Sequence, residues 1–272
     1  MRYGVPYKGS KNAVAEWVVD HLPDGERLVD LFAGGCAVTH CAMLRGKYRK
    51  YLINDVNDVP KLFCDALGGK TRGRTEWVSR EDFHRLKGSD PFVRQVWSFG
   101  NDGNSYLYSK ELEPYKKAVH MELTAGTMAE RYRWHKTAVR EALKIIAQRG
   151  AKVHEKTMYF QQNTEAYFRC EVLERAENLE RAEGDYRAVE IKSGDVVYCD
   201  IPYRGTGAEY VDGFDYEAFY EWARGLDVPV VISEYWMPED RFECIAEKER
   251  CGHMCATNNA NRKTERLYVP KR

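Results

Sequence analysis

The chain alternates between two spacings of apolar residues. Residues 11–21 (KNAVAEWVVDH) put Ala13, Val14, Trp17, Val18 and His21 on one helical face, and Pro23-Asp-Gly25 breaks the pattern. Residues 27–32 (RLVDLF) are short, apolar and β-prone, run into Ala33-Gly34-Gly35, and give way to helical character over residues 36–44. A second strand is expected over residues 48–53, ending at Asn54-Asp55. A long, mostly helical and loop-rich stretch follows to about residue 168, with a turn cluster at Gly100-Asn-Asp-Gly-Asn104. Apolar runs return at residues 195–199 (DVVYC), which lead into Asp200-Ile-Pro-Tyr203, and at residues 228–233 (VPVVIS). Strands alternating with helices predict an α/β protein with a parallel sheet, interrupted by an insert of about a hundred residues. The tandem residues 173–178 (LERAEN) and 179–184 (LERAEG) make two copies only, too few for a solenoid, and are expected to form a charged surface connector.

Composition fits a chain with a sizeable core: 272 residues are 43% hydrophobic, 12% aromatic and 31% charged, with a mean hydropathy of −0.63. No stretch approaches the roughly 18 uninterrupted apolar residues of a bilayer span, and residues 1–12 lack the apolar centre of a signal peptide, so a cytoplasmic location is expected. The eight cysteines are expected to be reduced, small core residues. Cys244, Cys251, His253 and Cys255 form the one soft-ligand cluster, but without the paired knuckles of usual zinc sites, so no metal is expected.

Forty-two basic residues balance forty-two acidic ones, which argues against a wholly basic nucleic-acid binder. The balance is uneven along the chain, with net charges of +2 over residues 1–71, +6 over 72–156, −12 over 165–250 and +4 over 251–272. The basic segment is interleaved with Trp77, Phe92, Trp97, Phe99, Tyr106, Tyr108, Tyr115, Tyr132 and Trp134. That is the composition of a nucleic-acid face, and equally an excess that mixed charged helices reach by ordinary variation.

Two strand ends carry candidate chemistry. A strand entering Asp30-Leu-Phe-Ala-Gly-Gly35 and then a helix lets backbone approach a ligand, and Asp55 at the next strand end is placed either for a ribose or to cap the following helix. Asp200-Ile-Pro-Tyr203 sets a carboxylate, a rigid turn and an exposed ring at the carboxyl edge of the sheet. The grouping suits a flipped base stacked on Tyr203, its exocyclic amine held by Asp200 and the carbonyl of Ile201; a strand end with a buried tyrosine is the plainer reading.

With its motifs in this order the sequence resembles the Dam-like DNA adenine-N6 methyltransferases, which use S-adenosyl-L-methionine. The resemblance comprises Pro6-Tyr-Lys-Gly-Ser-Lys11, Asp30-Leu-Phe-Ala-Gly-Gly35, Asn54-Asp55, Gly184-Asp-Tyr186, Asp200-Ile-Pro-Tyr203 and the runs at residues 231–235 and 265–269, and is looser over about 60–165. It implies a Rossmann-like methyltransferase sheet from residues 1–60 and 166–272, with residues 61–165 as an inserted, mostly helical target-recognition domain. Tyr7, Lys11 and Asp30 would contact the cofactor, Phe32, Ala33 and Gly34 would wall its methionine moiety, Asp55 its ribose, and Tyr186 its adenine. Asp200, Pro202 and Tyr203 would form the catalytic motif, with Asp200 facing both cofactor and amine, and Ile201 and Tyr203 on the base. Asn101, Asn104, Arg131 and Arg133 in the insert suit base edges or phosphates and are equally ordinary surface residues.

Two positions depart from the family pattern: Ile201 stands where proline is usual, and Gly35-Cys36 lacks a second spaced glycine. None of the nine prolines precedes a cysteine, which disfavours cytosine-C5 methylation. Cytosine N4, an RNA substrate and a non-catalytic relative stay open as alternatives. The resemblance implies double-stranded DNA as partner, in an orphan or phage-borne enzyme or beside a cognate restriction endonuclease. The +6 insert and +4 tail are then expected to face DNA.

Overall fold

The computed structural model describes residues 3–74, 76–111, 113, 116–117, 178–204, 213–251 and 262–272. The chain divides into two compact units, one of Met1, Val5–Ser10 and Lys61–Arg175, the other of Arg2–Gly4, Lys11–Pro60 and Ala176–Arg272.

The second unit is built on a seven-stranded sheet. Its strands are β1 (Arg27–Asp30), β2 (Lys50–Ile53), β3 (Leu179–Arg181), β4 (Asp195–Asp200), β5 (Val230–Glu234), β6 (Phe242–Cys251) and β7 (Arg262–Pro270), in the order β3-β2-β1-β4-β5-β7-β6. β1 pairs in parallel with both β2 and β4, β4 with β5 and β2 with β3, while β7 runs antiparallel between β5 and β6. This is a Rossmann-like arrangement in which strand order reverses between β1 and β4. A crevice opens at the carboxyl ends of the strands where order reverses, and ligands of open α/β sheets bind there.

The apolar runs of β1, β4 and β5 follow from burial on both faces. On one face Leu28, Tyr51, Val196, Tyr198 and Val231 pack with α1 (Ala15–His21) and α2 (Ala37–Leu44). On the other, Val29, Leu52, Val197, Cys199 and Ile232 pack with Phe219, Tyr220 and Ala223 of the amphipathic helix Tyr216–Arg224, whose Asp215 cap accepts from Ala218 N–H. The expected first helix begins instead with a short 3-10 turn, Lys11–Ala13, before α1.

Residues 179–181 of the repeat are not a connector: they form β3, paired with β2 through Tyr51↔Leu179. Leu179 alone packs against the core, and the charged residues beside it suit a short sheet edge that no further strand should join. The first copy lies outside the described residues, apart from Asn178.

In the first unit, α3 (Val59–Leu67), which begins in the second unit, is followed by α4 (Arg80–Leu86) and α5 (Pro91–Val96). Ser79 caps α4 by accepting from Asp82 N–H; Asp90 caps α5, whose first position is proline. Phe83, Phe92, Trp97, Tyr106 and Tyr108 are buried, with Trp77 stacked on Tyr108 at 5.8 Å. These aromatics of the basic segment make a core, not a stacking surface. Arg74, over the Phe92 ring, is held by a bidentate bond to Asp90 at 3.1 and 2.8 Å. Tyr115, Tyr132 and Trp134 lie outside the described residues. Among the described residues no helix is long and apolar enough to cross a membrane.

Candidate active site

Three parallel strands of the second unit end in acids, and a fourth acid follows two residues after β2: β1 at Asp30, β4 at Asp200, β5 at Glu234, and Asp55 beyond Ile53. The sheet therefore lines its carboxyl edge with carboxylates. Between β1 and α2 the chain makes the turn 31–36, in which Gly34 (φ 45°) and Cys36 (φ 58°) are left-handed. Gly34 N–H donates to Asp55 Oδ2 at 2.8 Å and Ala33 N–H to the Asn54 carbonyl at 2.9 Å, so the turn is fixed by the end of β2. Asp55 Oδ1 accepts from Asn57 N–H at 3.1 Å and Asn57 Nδ2 at 2.6 Å. Burial raises the Asp55 carboxyl, against the lowering effect of these N–H bonds. Asn54 reaches the Leu31 and Gly184 carbonyls at 3.1 and 3.0 Å, and Gly184 N–H returns to the Asp55 carbonyl at 2.9 Å. Those bonds carry Gly184-Asp-Tyr186 to the same edge.

Asp30 is 1% exposed. Its Oδ2 accepts from Thr39 Oγ1 at 2.7 Å, whereas Oδ1 is buried with no partner among the described residues. Burial above all, with the charges of Asp200 and Asp55, pushes this carboxyl up to about 7, while Thr39 and Lys11 oppose the rise. Glu234 is similar. Its Oε1 accepts from Arg204 N–H at 3.1 Å, Oε2 has no partner among the described residues, and burial pushes it up to about 8.

Lys11 is buried, not a solvated helix-start charge. Its Nζ is 2.5 Å from Asp200 Oδ1, 3.7 Å from Glu265 Oε1 and 4.4 Å above the centre of the Tyr203 ring. Tyr203 is half-buried instead of exposed: its hydroxyl donates to Glu265, and Tyr235 stands perpendicular to it at 4.4 Å. Burial, then the charges of Asp200 and Glu265, raises the phenol well above its ordinary value, so Tyr203 is neutral and a donor. Ile201 points its side chain into the core under the sheet, and the Pro202 carbonyl accepts from the Tyr216 hydroxyl at 2.8 Å, which ties the turn to the helix that follows.

Phe32 and Tyr186 lie 5.3 Å apart, centre to centre, and pack with Phe214 and Phe219, making an aromatic wall beside the glycine turn. Phe32, Ala33, Gly34, Asp30, Asp55, Tyr186, Lys11, Asp200, Ile201, Pro202 and Tyr203 thus all belong to the second unit. Tyr7 belongs to the first unit, where its carbonyl accepts from Ser10 N–H at 3.2 Å. In that unit Asn101 is left-handed and spends its side-chain amide on the Gln95 carbonyl at 2.8 Å, which makes it a turn residue there; Asn104 is exposed. Arg131 and Arg133 lie outside the described residues.

Of the cysteines, Cys36, Cys41 and Cys199 are buried, Cys64 is half-buried and Cys244 exposed. The side chains of Cys251, His253 and Cys255 fall outside the described residues.

The donor set has a definite chemical character. Four acids line the carboxyl edge of the sheet, Asp55 bonded to the glycine turn and Lys11 to Asp200, an aromatic wall stands beside that turn, and two carboxylate oxygens are buried without partners among the described residues. A buried oxygen of that kind seeks a donor, and a cationic donor is favoured most. The set therefore fits a ligand that has an ammonium or sulfonium group and a planar ring, as S-adenosylmethionine has. Glu234, Glu265 and Thr39 belong to this neighbourhood and were given no role from the motifs, although the first two lie in the runs 231–235 and 265–269. The strand ends gave a signal for Glu234, an acid closing an apolar run as Asp30 and Asp200 do.

Residues 7–225 match the family model of the D12 class N6 adenine-specific DNA methyltransferases. Over 246 residues the sequence is 28% identical to the retron Ec67 DNA adenine methylase of Escherichia coli, covering 84% of this chain and 75% of the relative. Among solved structures, an rRNA methyltransferase, AviRa of Streptomyces viridochromogenes, aligns over 94% of this chain and 82% of its own at 11% identity, with a TM-score of 0.36.

Proposed function

We propose a division of labour for this chain, which belongs to the D12 class N6 adenine-specific DNA methyltransferases and is an adenine-specific DNA methyltransferase. The methyl donor is S-adenosyl-L-methionine, the acceptor is the N6 amine of an adenine extruded from double-stranded DNA, and both meet at the carboxyl edge of β1 and β4. The observation that carries this reading is the placement of Asp200, Lys11 and Tyr203 together at that edge, next to the glycine turn held by Asp55.

When bound, the cofactor supplies an electrophilic methyl group on a positively charged sulfur, with a thioether as leaving group. The remaining work belongs to the protein. Asp200 accepts a hydrogen bond from the target amine, which keeps the nitrogen lone pair directed away from the carboxylate and towards the methyl carbon. The Ile201 carbonyl takes the second N–H; a backbone oxygen serves equally whether residue 201 is isoleucine or proline. Tyr203 stacks on the base, and Pro202 holds the turn between the two. As the N–C bond forms, the amine becomes cationic and loses one N–H proton, which the Asp200 carboxylate is placed to accept. Lys11, 2.5 Å from Asp200 Oδ1, holds that carboxylate in orientation before that.

Asp30, whose Oδ1 has no partner among the described residues, would hold the cofactor's ammonium. Phe32, Ala33 and Gly34 bound its methionine arm, Asp55 its ribose and Tyr186 its adenine, with Tyr7 and Lys11 as further contacts. Residues 61–165 read the sequence around the target, with Asn101, Asn104, Arg131 and Arg133 as candidates for base or phosphate contact; the catalytic domain is residues 1–60 and 166–272. The enzyme acts in the cytoplasm without a metal, as an orphan or phage-borne enzyme or beside a cognate endonuclease.

The test is methylation of duplex DNA with labelled cofactor, followed by digestion to nucleosides. Label in N6-methyladenine is the expected result. Label in N4-methylcytosine, or a preference for single-stranded nucleic acid or RNA in competition, would overturn the substrate assignment.

A further inference from the structure

We infer that Glu265 is a positioning residue for the transfer: its carboxylate, anchored in β7, holds the Tyr203 hydroxyl and thereby sets the ring against which the extruded base stacks. The inference rests on the stacking role proposed for Tyr203.

Glu265 is fully buried, on a strand whose neighbours Leu267 and Tyr268 are core residues. A carboxylate is removed from water at such a position only where partners replace the water. Lys11 already meets Asp200 at 2.5 Å, and at 3.7 Å from Glu265 it supplies charge balance more than a directed bond. A directed bond comes from the Tyr203 hydroxyl. A tyrosine with its backbone in a turn and its ring half-buried still has two side-chain torsions to fix. Here the hydroxyl is fixed by Glu265, one face is covered by the Lys11 ammonium at 4.4 Å, and the Tyr235 ring stands at 80° to it. Three contacts from three separate segments of one unit therefore converge on a single ring. Two of the three contacting groups, Glu265 and Lys11, also face each other, so the catalytic turn after β4 is tied to β7 two strands away.

This arrangement makes a prediction that a general structural role does not. If Glu265 acts through the hydroxyl, removing either partner does the same damage, and removing both does little more. We expect Glu265→Leu and Tyr203→Phe each to lower kcat by about tenfold, with KM for DNA changed by less than about twofold, and the double variant to be no slower than the slower single one within about twofold. Glu265→Gln, which keeps an acceptor at the same place, should recover most of the loss. With 2-aminopurine at the target position, the two single variants should change the fluorescence of the bound, extruded base alike, because stacking on the ring is altered alike. Losses that multiply in the double variant would overturn the inference. So would a Glu265→Leu protein that melts earlier yet turns over normally when folded. Should Glu265→Leu not fold, Tyr203→Phe with parental kcat overturns it alone, since the hydroxyl is the route from Glu265 to the ring. Parental activity in Tyr203→Ala would instead remove the stacking role itself, whereas a slow Tyr203→Ala beside multiplying losses removes only the role of Glu265.

Discussion

Asp30 offers a test in which stability and ligand binding move in opposite directions. The carboxyl is fully buried, its Oδ1 has no partner among the described residues, and its pKa stands at about 7 against an ordinary value of 3.8. The folded protein thus holds this proton more tightly than the unfolded chain does. Stability from this group is fully present below about pH 3.8 and is lost as pH rises towards 7. A shift of about three units corresponds to about 4 kcal/mol at pH 8, taking ~1.4 kcal/mol per unit. Asp30→Asn removes that titration. Its amide oxygen can still accept from the Thr39 hydroxyl, while its NH2 group replaces the unpartnered oxygen at a cost of about 1–2 kcal/mol.

The variant should therefore exceed the parent by about 2–3 kcal/mol at pH 8 and match it near pH 5. For a chain of this size that is about 5–10 °C in Tm at pH 8, closing towards zero at pH 5. Thermal melts of both proteins across that range, without ligand, measure it. A difference independent of pH, or an Asp30→Asn protein less stable at pH 8, would refute the reasoning. If Asp30 also holds the ammonium of the cofactor, the same variant at pH 8 binds S-adenosylhomocysteine about tenfold or more weakly. Stabilisation with unchanged affinity would leave the burial argument standing and remove the binding role.

Asp200→Ala should lower kcat by about a thousandfold or more, and Tyr203→Ala by about ten- to a hundredfold, in single-turnover methylation of a duplex; an Asp200→Ala protein with parental turnover would remove the proposed site. Gly4→Ala forces a side chain onto a left-handed residue (φ +64°) with its Cβ 2.1 Å from the Gly35 carbonyl oxygen, so both Tm and cofactor affinity should fall, as calorimetry and equilibrium binding would show. Asp195→Ala leaves the buried Arg27 guanidinium without its bidentate partner, held now at 2.9 and 2.6 Å, and should destabilise folding by about 3–5 kcal/mol in urea titrations; Arg27→Leu with Asp195→Leu should recover much of it.

Much of the sheet could be read from the chain because parallel strands buried on both faces are written as short apolar runs. The runs in β1, β4 and β5 announced themselves, and the expected ends differ by a residue or two: β2 begins at Lys50 instead of 48, and β5 spans Val230–Glu234. β3 was hidden for the opposite reason. An edge strand of three residues, with two charged side chains in water, has no periodicity to detect, and its place is set by pairing with Tyr51 and Leu52. The basic aromatic segment left two readings open for a related reason, since composition does not distinguish a ring that faces solvent, as Phe99 does, from one that fills a small unit's core. Trp97 and Phe92 do the latter.

The site was legible to the extent that each functional group lies next to its strand end in sequence. Asp30, Asp55 and Asp200 satisfy that condition, and so does Glu234, whose acid closes the run VVIS as plainly as Asp200 closes VVYC. Glu265 does not. It sits inside β7, between Thr264 and Arg266, in a stretch of mixed charge where an acid would ordinarily face water. What buries it is the antiparallel insertion of β7 between β5 and β6, a long-range pairing that brings residue 265 to a lysine at position 11 and a tyrosine at 203. No local spacing encodes a contact among residues so far apart; only the strand order does. The acids at strand ends bind by where the sheet stops, whereas Lys11, Tyr203 and Glu265 cohere because charge and hydroxyl left in the interior must find each other.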